Sequence, residues 1–258
     1  MELLLLALAL PAATVIYERG ELRLQDPQAV GEVITSPLPH TYLRAVDLPT
    51  AYDPNDLGGL TLVSSDLNQH IPKYCGSCWA HAPASSLADR IKIASKGRGR
   101  EVIPSIQNII DCSGMGCSGG DSNAAHKWIH DNGGIPDITC QQYQAKNGNC
   151  TAMNTCMNCG GAPCWPVKDY PKIKVLEYGP VTGDTHIQME IFARGPVSCY
   201  IDASVLGYVT AAGVSGYSGG VCNYTTTPRV DHAIQIAGWG EEGGLQYWVG
   251  RNSWGTYW

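Results

Sequence analysis

Residues 68–81, NQHIPKYCGSCWAH, hold two cysteines, two histidines, a tryptophan and a glutamine within fourteen positions. Three chemistries suit that set. A Cys-x-x-Cys at a helix start lowers a thiol's pKa and runs disulfide exchange. Clustered thiolates bind zinc, and Cys150, Cys156, Cys159 and Cys164 further along have tolerable spacing for a four-thiolate site. A lone cysteine opening a helix acts as a nucleophile when an imidazole elsewhere takes its proton. Against the redox choice, no βαβ pattern surrounds the motif and nine other cysteines stand ready to pair with Cys75. Against zinc, cysteines of an exported chain form disulfides first.

The chain carries eleven cysteines, and an odd number leaves at least one thiol over, either a defect or the working group. Export is predicted from the N-terminus as well. Leu3 to Leu10 is an apolar run followed by small residues, the pattern of a secretory leader over residues 1–13 cleaved near Ala13, although its first residues carry Glu2 and no positive charge. No stretch approaches the ~20 apolar residues that a membrane-spanning helix needs. A net charge of −6 without a basic stripe argues against nucleic acid as a partner. Asn149-Cys150-Thr151 and Asn223-Tyr224-Thr225 are acceptor sequons for N-glycosylation.

The elements that must position these residues follow from pattern. Residues 14–47 are proline-spotted without a sustained apolar period and read as a short pro-segment. From Cys78 the apolar positions Ala80, Ala84, Leu87 and Ile91 recur on one face, and Lys96-Gly97 stops the helix. Shorter helices are predicted around Ile106–Ile110, Asn123–Asn132 and His186–Arg194, with a cysteine-stapled loop over 140–164. PVSCYI, DHAIQIAGWG and LQYWVG, rich in valine, isoleucine and tyrosine and ended by glycines, read as strands. Helices first and strands last predict an α+β chain of two lobes. Pro83 lies in the second turn of the Cys78 helix, where it removes the hydrogen bond to the Trp79 carbonyl and is expected to cost ~3 kcal/mol or a kink.

Four motifs then fall in one order: CGSCW (75–79), CSGG (117–120), VDHA (230–233) and RNSWG (251–255). On these the chain resembles the papain family of cysteine peptidases. The resemblance implies a papain-like two-lobe fold within residues 48–258, a helical left lobe over 48–170 and an antiparallel β-barrel-like right lobe over 171–258, with the cleft between. It makes Cys78 the nucleophile, His232 the general acid/base and Asn252 the residue that orients it. Trp254 shields that contact and Gly119-Gly120 line the substrate groove. Neither cofactor nor metal is implied. In papain a neighbouring imidazolium and a helix N-terminus bring the thiol pKa to roughly 3–4.

Most members place the oxyanion-hole glutamine closer to the nucleophile. Position 72 here is Pro72, and Gln69 lies nine residues before Cys78, so three residues have been inserted. With QYQAK at 142–146, this stretch is similar to the cathepsin Z branch of the family. There the inserted mini-loop stands at the primed end of the cleft. Its histidine, here His70, binds the terminal carboxylate of the substrate, Tyr74 frames the loop, and the loop's bulk blocks longer substrates. The implied activity is a carboxypeptidase acting on peptides with free C-termini, monomeric, in the lysosome or secreted. A dipeptidyl carboxypeptidase like cathepsin B and a non-catalytic relative are the alternatives. The branch also implies cleavage before Leu48-Pro49 and the bridges Cys75–Cys117, Cys112–Cys150, Cys140–Cys156 and Cys159–Cys164. Residues 14–47 lack the cysteine with which the branch caps its nucleophile, and the chain stops at Trp258, where the family continues with further strands and the usual partner of Cys199. Cys222 replaces that partner only if its Cα lies within roughly 7 Å.

Overall fold

The computed structural model describes residues 6–9, 30–210, 213–216, 220–222, 230–256 and 258. In chain order they form β1 (Leu6–Ala9), α1 (Cys78–Ala94), α2 (Ile106–Cys112), α3 (Ser122–Asp131), the single turn α4 (Ala152–Thr155), the hairpin β2 (Met157–Asn158) and β3 (Trp165–Pro166), and α5 (Asp184–Arg194). The remaining strands are β4 (Val197–Ile201), β5 (Gly207–Thr210), β6 (Gly213–Gly216), β7 (Val221–Cys222), β8 (His232–Glu242) and β9 (Leu245–Arg251).

Helix α1 runs through the middle of the molecule because small and apolar residues line it: Trp79, Ala80 and Ala84 are fully buried in the core of the helical lobe with Ile106, Ile109 and Ile129. It ends where Lys96 and Gly97 take φ of 54° and 71°, and the Gly97 N–H closes on Lys92 O at 2.8 Å. Pro83 lies inside it, yet the helix continues unbroken. The Trp79 carbonyl that Pro83 leaves without its helical donor accepts instead from Ser122 Oγ at 3.1 Å, at the start of α3. A partner from a neighbouring helix thus offsets the predicted cost of the proline.

The sheet lobe is mainly antiparallel, as expected, and among the described residues it has no closed barrel. Among the described residues its main sheet is open, in the order β4-β8-β9-β1-β7, and β5–β6 form a separate ribbon. Neighbours are antiparallel except β1 and β7, which are parallel, and a register shift between Ile236 and Gly238 bends β8 against β9. Leu6–Ala9, inside the stretch predicted as a leader, pair with Gly250 to Tyr247 of β9. The second core, Ile191, Leu206, Ile234, Ile236, Trp239 and Trp248 among others, fills the space between this sheet and α5.

One buried cluster joins the lobes. Asp89 on α1 is fully buried and accepts four hydrogen bonds: Ser64 N (2.6 Å), Ser64 Oγ (2.7 Å), Gln235 Nε2 of β8 (2.8 Å) and Arg251 Nη2 of β9 (3.0 Å). Arg251 also donates to Ser64 O at 2.6 Å.

Of the segment predicted as a pro-segment, residues 30–47 are described, and they lie along α5 and the strand of chain before it. Val33 exchanges both backbone bonds with Tyr178, Glu177 accepts from the N–H and hydroxyl of Thr35 and Ser36, and His40 stacks on His186 at 4.3 Å. These donors outweigh burial and hold the Glu177 carboxyl down at about 2.

Four bridges close, Cys75–Cys117, Cys112–Cys150, Cys140–Cys156 and Cys159–Cys164, as the resemblance implied. They remove both the redox and the zinc alternatives, because Cys75 is bonded to Cys117 and all four candidate zinc thiols are oxidised. Cys78, Cys199 and Cys222 lie outside the bridges, and no Cys199–Cys222 bond forms. Asn149 is exposed, while the second sequon, 223–225, lies outside the described residues.

Breaking the Asp89 cluster leaves the Arg251 guanidinium buried without its counter-charge. Asp89→Ala is expected to destabilise the fold by about 3–5 kcal/mol. Denaturant unfolding of the purified variant checks this, and a loss below about 1 kcal/mol, the range of an exposed pair, would contradict the bridging role.

Candidate active site

Cys78 is the first residue of α1, following the N-cap Ser77. The chain before it is clamped from two directions. The Cys75–Cys117 bond ties it to the CSGG loop, and Gly76 N–H donates to Cys117 O at 2.8 Å. Gly76 is a glycine because a Cβ there would stand 2.8 Å from that same carbonyl oxygen. Gly120 is one because a Cβ would meet the Trp79 ring at 2.5 Å. The spacing CGSCW…CSGG is therefore a packing requirement: two backbones approach closely and Trp79 closes over the second, its Nε1 donating to Gly116 O at 3.0 Å. Gly119, with φ of 107°, turns the chain beside Gly116.

The candidate general base comes from the opposite lobe. His232 opens β8 and is buried, and its Nε2 lies 2.7 Å from Asn252 Oδ1. That oxygen also accepts the Ser253 backbone N–H at 2.8 Å. A backbone donor fixes Oδ1 as an acceptor, so Nε2 must donate and Nδ1 keeps its lone pair for a proton. Trp254 packs on the imidazole, ring centroids 4.9 Å apart, and is itself backed by Trp258 at 5.2 Å.

The electrostatics depart from the expected low thiol pKa. Burial pushes the Cys78 thiol up, against the N–H groups of Ala233, Trp79 and Cys78 itself, which favour the thiolate; the Asp231 charge adds to the rise. Burial likewise pushes His232 down to about 4, against its bond to Asn252 and the Asp231 charge. Each group, taken with the other neutral, is held uncharged. The Ala233 N–H, one residue beyond His232, is the direct link from the sheet lobe to the sulfur.

Gln69 is almost fully buried and every polar group of it is engaged. Nε2 donates to Cys75 O at 3.0 Å, Oε1 accepts from Ser253 Oγ at 2.6 Å, and its N–H bonds Ser253 O at 2.8 Å. The second Nε2 hydrogen takes part in none of these bonds. A network behind it escaped the sequence. Tyr143 donates to Gln69 O at 2.7 Å and so accepts from Ser77 Oγ, also at 2.7 Å. His81, one turn along α1, sets its Nδ1–H on Ser77 O at 3.0 Å and near Ser77 Oγ at 3.3 Å. Burial holds His81 down at about 4 and Tyr143 up at about 12, so both stay neutral and the direction of each bond is set. The signal available in the sequence was the Ser77–His81 spacing of one helical turn.

His70 and Tyr74 sit on the loop between Gln69 and Cys75, their rings stacked at 4.8 Å with 9° between planes. His70 also approaches Trp254 at 6.2 Å. Its Nδ1 is buried with no hydrogen-bond partner, and burial lowers its pKa. Tyr74 is largely exposed on the outer side of the loop. Among the described residues no cluster of His, Cys, Asp and Glu is able to hold a metal ion.

These contacts bring His232, Asn252, Gln69 and Trp254 together, with Cys78 beside the Ala233 N–H, and residues 48–258 match the family described as papain family cysteine protease. The chain belongs to the papain family. It is 41% identical over 215 residues to cathepsin Z of Onchocerca volvulus, covering 82% of this chain and 68% of that protein. Cathepsin B-like cysteine proteinase 1 of Ostertagia ostertagi is 30% identical over 238 residues, covering 82% and 66%. Among solved structures the recombinant stem bromelain precursor superposes with a TM-score of 0.63 at 24% identity, over 89% of this chain and 66% of that one, a likeness of fold. The chain spans about two thirds of the length of these relatives. In this papain-family cysteine peptidase the candidate nucleophile, Cys78, lies on the helical lobe and the candidate base, His232, on the sheet.

Tyr143→Phe removes the donor to Gln69 O and the acceptor for Ser77 Oγ together. A loss of about 1–1.5 kcal/mol is expected in the transition state, lowering kcat about 5- to 12-fold with KM little changed. Steady-state kinetics check this, and unchanged kcat with a lowered melting temperature would reduce Tyr143 to a structural role.

Proposed function

We propose that the chain is a cysteine-type carboxypeptidase removing single residues from free C-termini. The observation that carries this reading is the buried, unpartnered Nδ1 of His70 on the loop inserted before the nucleophile. A buried polar atom without a partner is costly, and a substrate carboxylate supplies the acceptor that the fold omits.

In this reading Cys78 gives its proton to His232 Nδ1, and the pair becomes charged together, thiolate beside imidazolium. The thiolate attacks the last peptide carbonyl, and the Gln69 Nε2–H and the Cys78 backbone N–H receive the negative oxygen. Collapse breaks the C–N bond, and the imidazolium returns its proton to the leaving amine. Water, deprotonated by His232, then hydrolyses the thioester. Asn252 holds the Nε2–H throughout, so that Nδ1 alone exchanges the proton. The branch resemblance further supports a pro-segment over 14–47 removed before Leu48, a leader over 1–13, and an exported or lysosomal monomer. The four disulfides fit an oxidising compartment, and among the described residues no helix is long and apolar enough to cross a membrane.

The test is mass spectrometry of one peptide as free acid and as C-terminal amide, incubated at about pH 5, within the range where a histidine is protonated. Stepwise loss of single residues from the free acid alone is expected. Loss in pairs would transfer the reading to a dipeptidyl carboxypeptidase, and internal cuts in both peptides would discard the exopeptidase claim. His70→Ala is expected to lower kcat/KM for the free acid by about 10²-fold, the value of a charge-assisted bond of about 2–3 kcal/mol.

The pH dependence follows in sign. His70 has a pKa below its usual 6.5, so its cation exists only in acid, and a bound carboxylate favours that cation. KM for free acids should therefore fall as pH drops below about 6.5 and rise again as the substrate carboxylate protonates near ~3.5. The amide's KM should not follow this curve.

A further inference from the structure

Of the two histidines in NQHIPKYCGSCWAH, the mechanism above uses only His70. His81 is the fourth residue of α1, 1% exposed, with the Tyr143 ring packed edge-on against it at 4.8 Å. A helical side chain leans back towards the N-terminus of its helix, so a residue at this position reaches the cap. The Nδ1 of His81 lies 3.0 Å from Ser77 O and 3.3 Å from Ser77 Oγ. A carbonyl only accepts, so Nδ1 carries the proton and donates. With no lone pair left, Nδ1 cannot act as a base towards Cys78.

The Ser77 carbonyl also accepts the backbone N–H groups of Ala80 and His81, each at 3.0 Å. Three donors converge on one oxygen. That oxygen belongs to the peptide unit whose other end is the Cys78 N–H. The unit is planar and trans, so its C=O and N–H point in opposite directions, and fixing one fixes the other. Donors on the carbonyl also polarise the unit and strengthen its N–H as a donor. At the first position of α1 that N–H has no acceptor inside the helix.

We propose that His81 is a positioning residue for the oxyanion. Its Nδ1–H holds the Ser77–Cys78 peptide unit so that the Cys78 N–H stays aimed at the negative oxygen formed from the substrate carbonyl. His81 acts through the peptide unit and takes no proton. The inference rests on the proposed thiolate mechanism, in which Gln69 Nε2–H shares that oxygen, but not on which peptide bond is cut. Tyr143 accepts from the same Ser77 and donates to Gln69 O, so both oxyanion donors are set from one point. The oxygen is negative only in the transition state, so losing the hold should lower kcat and spare KM.

The test compares His81→Phe, which keeps a ring and loses the donor, with His81→Asn, whose amide N–H stands where Nδ1–H stood. Hydrolysis is measured on whichever of the free-acid and amide peptides is cut. The thiol of each variant is also timed with iodoacetamide, a displacement of iodide that forms no oxyanion. In His81→Phe kcat should fall about 10-fold, part of the roughly 10²–10³ carried by a whole oxyanion donor, with KM within about twofold and the iodoacetamide rate within about threefold. His81→Asn should recover most of the lost kcat. His81→Gln, whose amide lies one carbon further out, should behave as His81→Phe and replaces it if that variant does not fold.

Unchanged kcat in His81→Phe, whatever its melting temperature, overturns the proposal, as does a loss that His81→Asn shares in full. An equal fall in the iodoacetamide rate moves the effect to the thiol and overturns it too. The expected pattern on internal cuts supports His81 while discarding the carboxypeptidase reading, and single-residue trimming without that pattern does the reverse. Hydrolysis of neither peptide removes both.

Discussion

A carboxylate buried where two lobes meet organises this protein. Asp89 is bonded to α1's own surroundings through Ser64, to β8 through Gln235 and to β9 through Arg251. Each of those segments carries a residue of the candidate site at a fixed distance along the chain. α1 begins at Cys78, β8 begins at His232, and Asn252 follows Arg251 directly. Ser64 leads by five residues to Gln69. Three rods and a loop are thus pinned at one point, and their ends converge at the cleft. A buried ion pair adds little stability over an apolar pair of the same shape. Its value here is geometric, because only one relative placement of the lobes satisfies all its donors.

The site itself is built against the preference of its parts. Burial opposes the charge on Cys78 and on His232, yet peptide hydrolysis needs a sulfur anion. The fold answers with oriented donors rather than with water. The N–H groups of Cys78, Trp79 and Ala233 face the sulfur, and Asn252, locked by the Ser253 N–H, decides which imidazole nitrogen is free. Behind them His81 donates to Ser77 O, Ser77 Oγ to Tyr143 and Tyr143 to the backbone carbonyl of Gln69, a series that ties the start of α1 to the main chain of Gln69. A few polar atoms in this interior are buried without a hydrogen-bond partner, His70 Nδ1, Asn252 Nδ2 and Trp254 Nε1 among them.

What the sequence made legible was local. The apolar face and terminal Lys96-Gly97 placed α1 within two residues of its observed end, and the strands PVSCYI, DHAIQIAGWG and LQYWVG were found where their patterns lay. The four motifs assembled into one cleft because each states a local constraint, a glycine under a tryptophan or an asparagine behind a histidine. What stayed hidden depends on partners far along the chain. Ser122 rescuing the carbonyl freed by Pro83, Ser253 gripping Gln69 and Tyr200 reaching α3 span 43, 184 and 78 positions, and no periodicity encodes them. The edges of the sheet are non-local in the same way: among the described residues β1, from the start of the chain, lies beside β9.

The four disulfides all fall between residues 75 and 164, in the helical lobe and its stapled loop. Cys199 and Cys222, in the sheet lobe, join none of them. The surroundings of Cys78 and of His232 therefore depend on different kinds of durability. Cross-links restrict the unfolded chain around Cys78, whereas the sheet around His232 relies on the packing of its tryptophans, isoleucines and leucine. A thiol reductant therefore has bonds to break around Cys78 and none among the sheet-lobe cysteines beside His232.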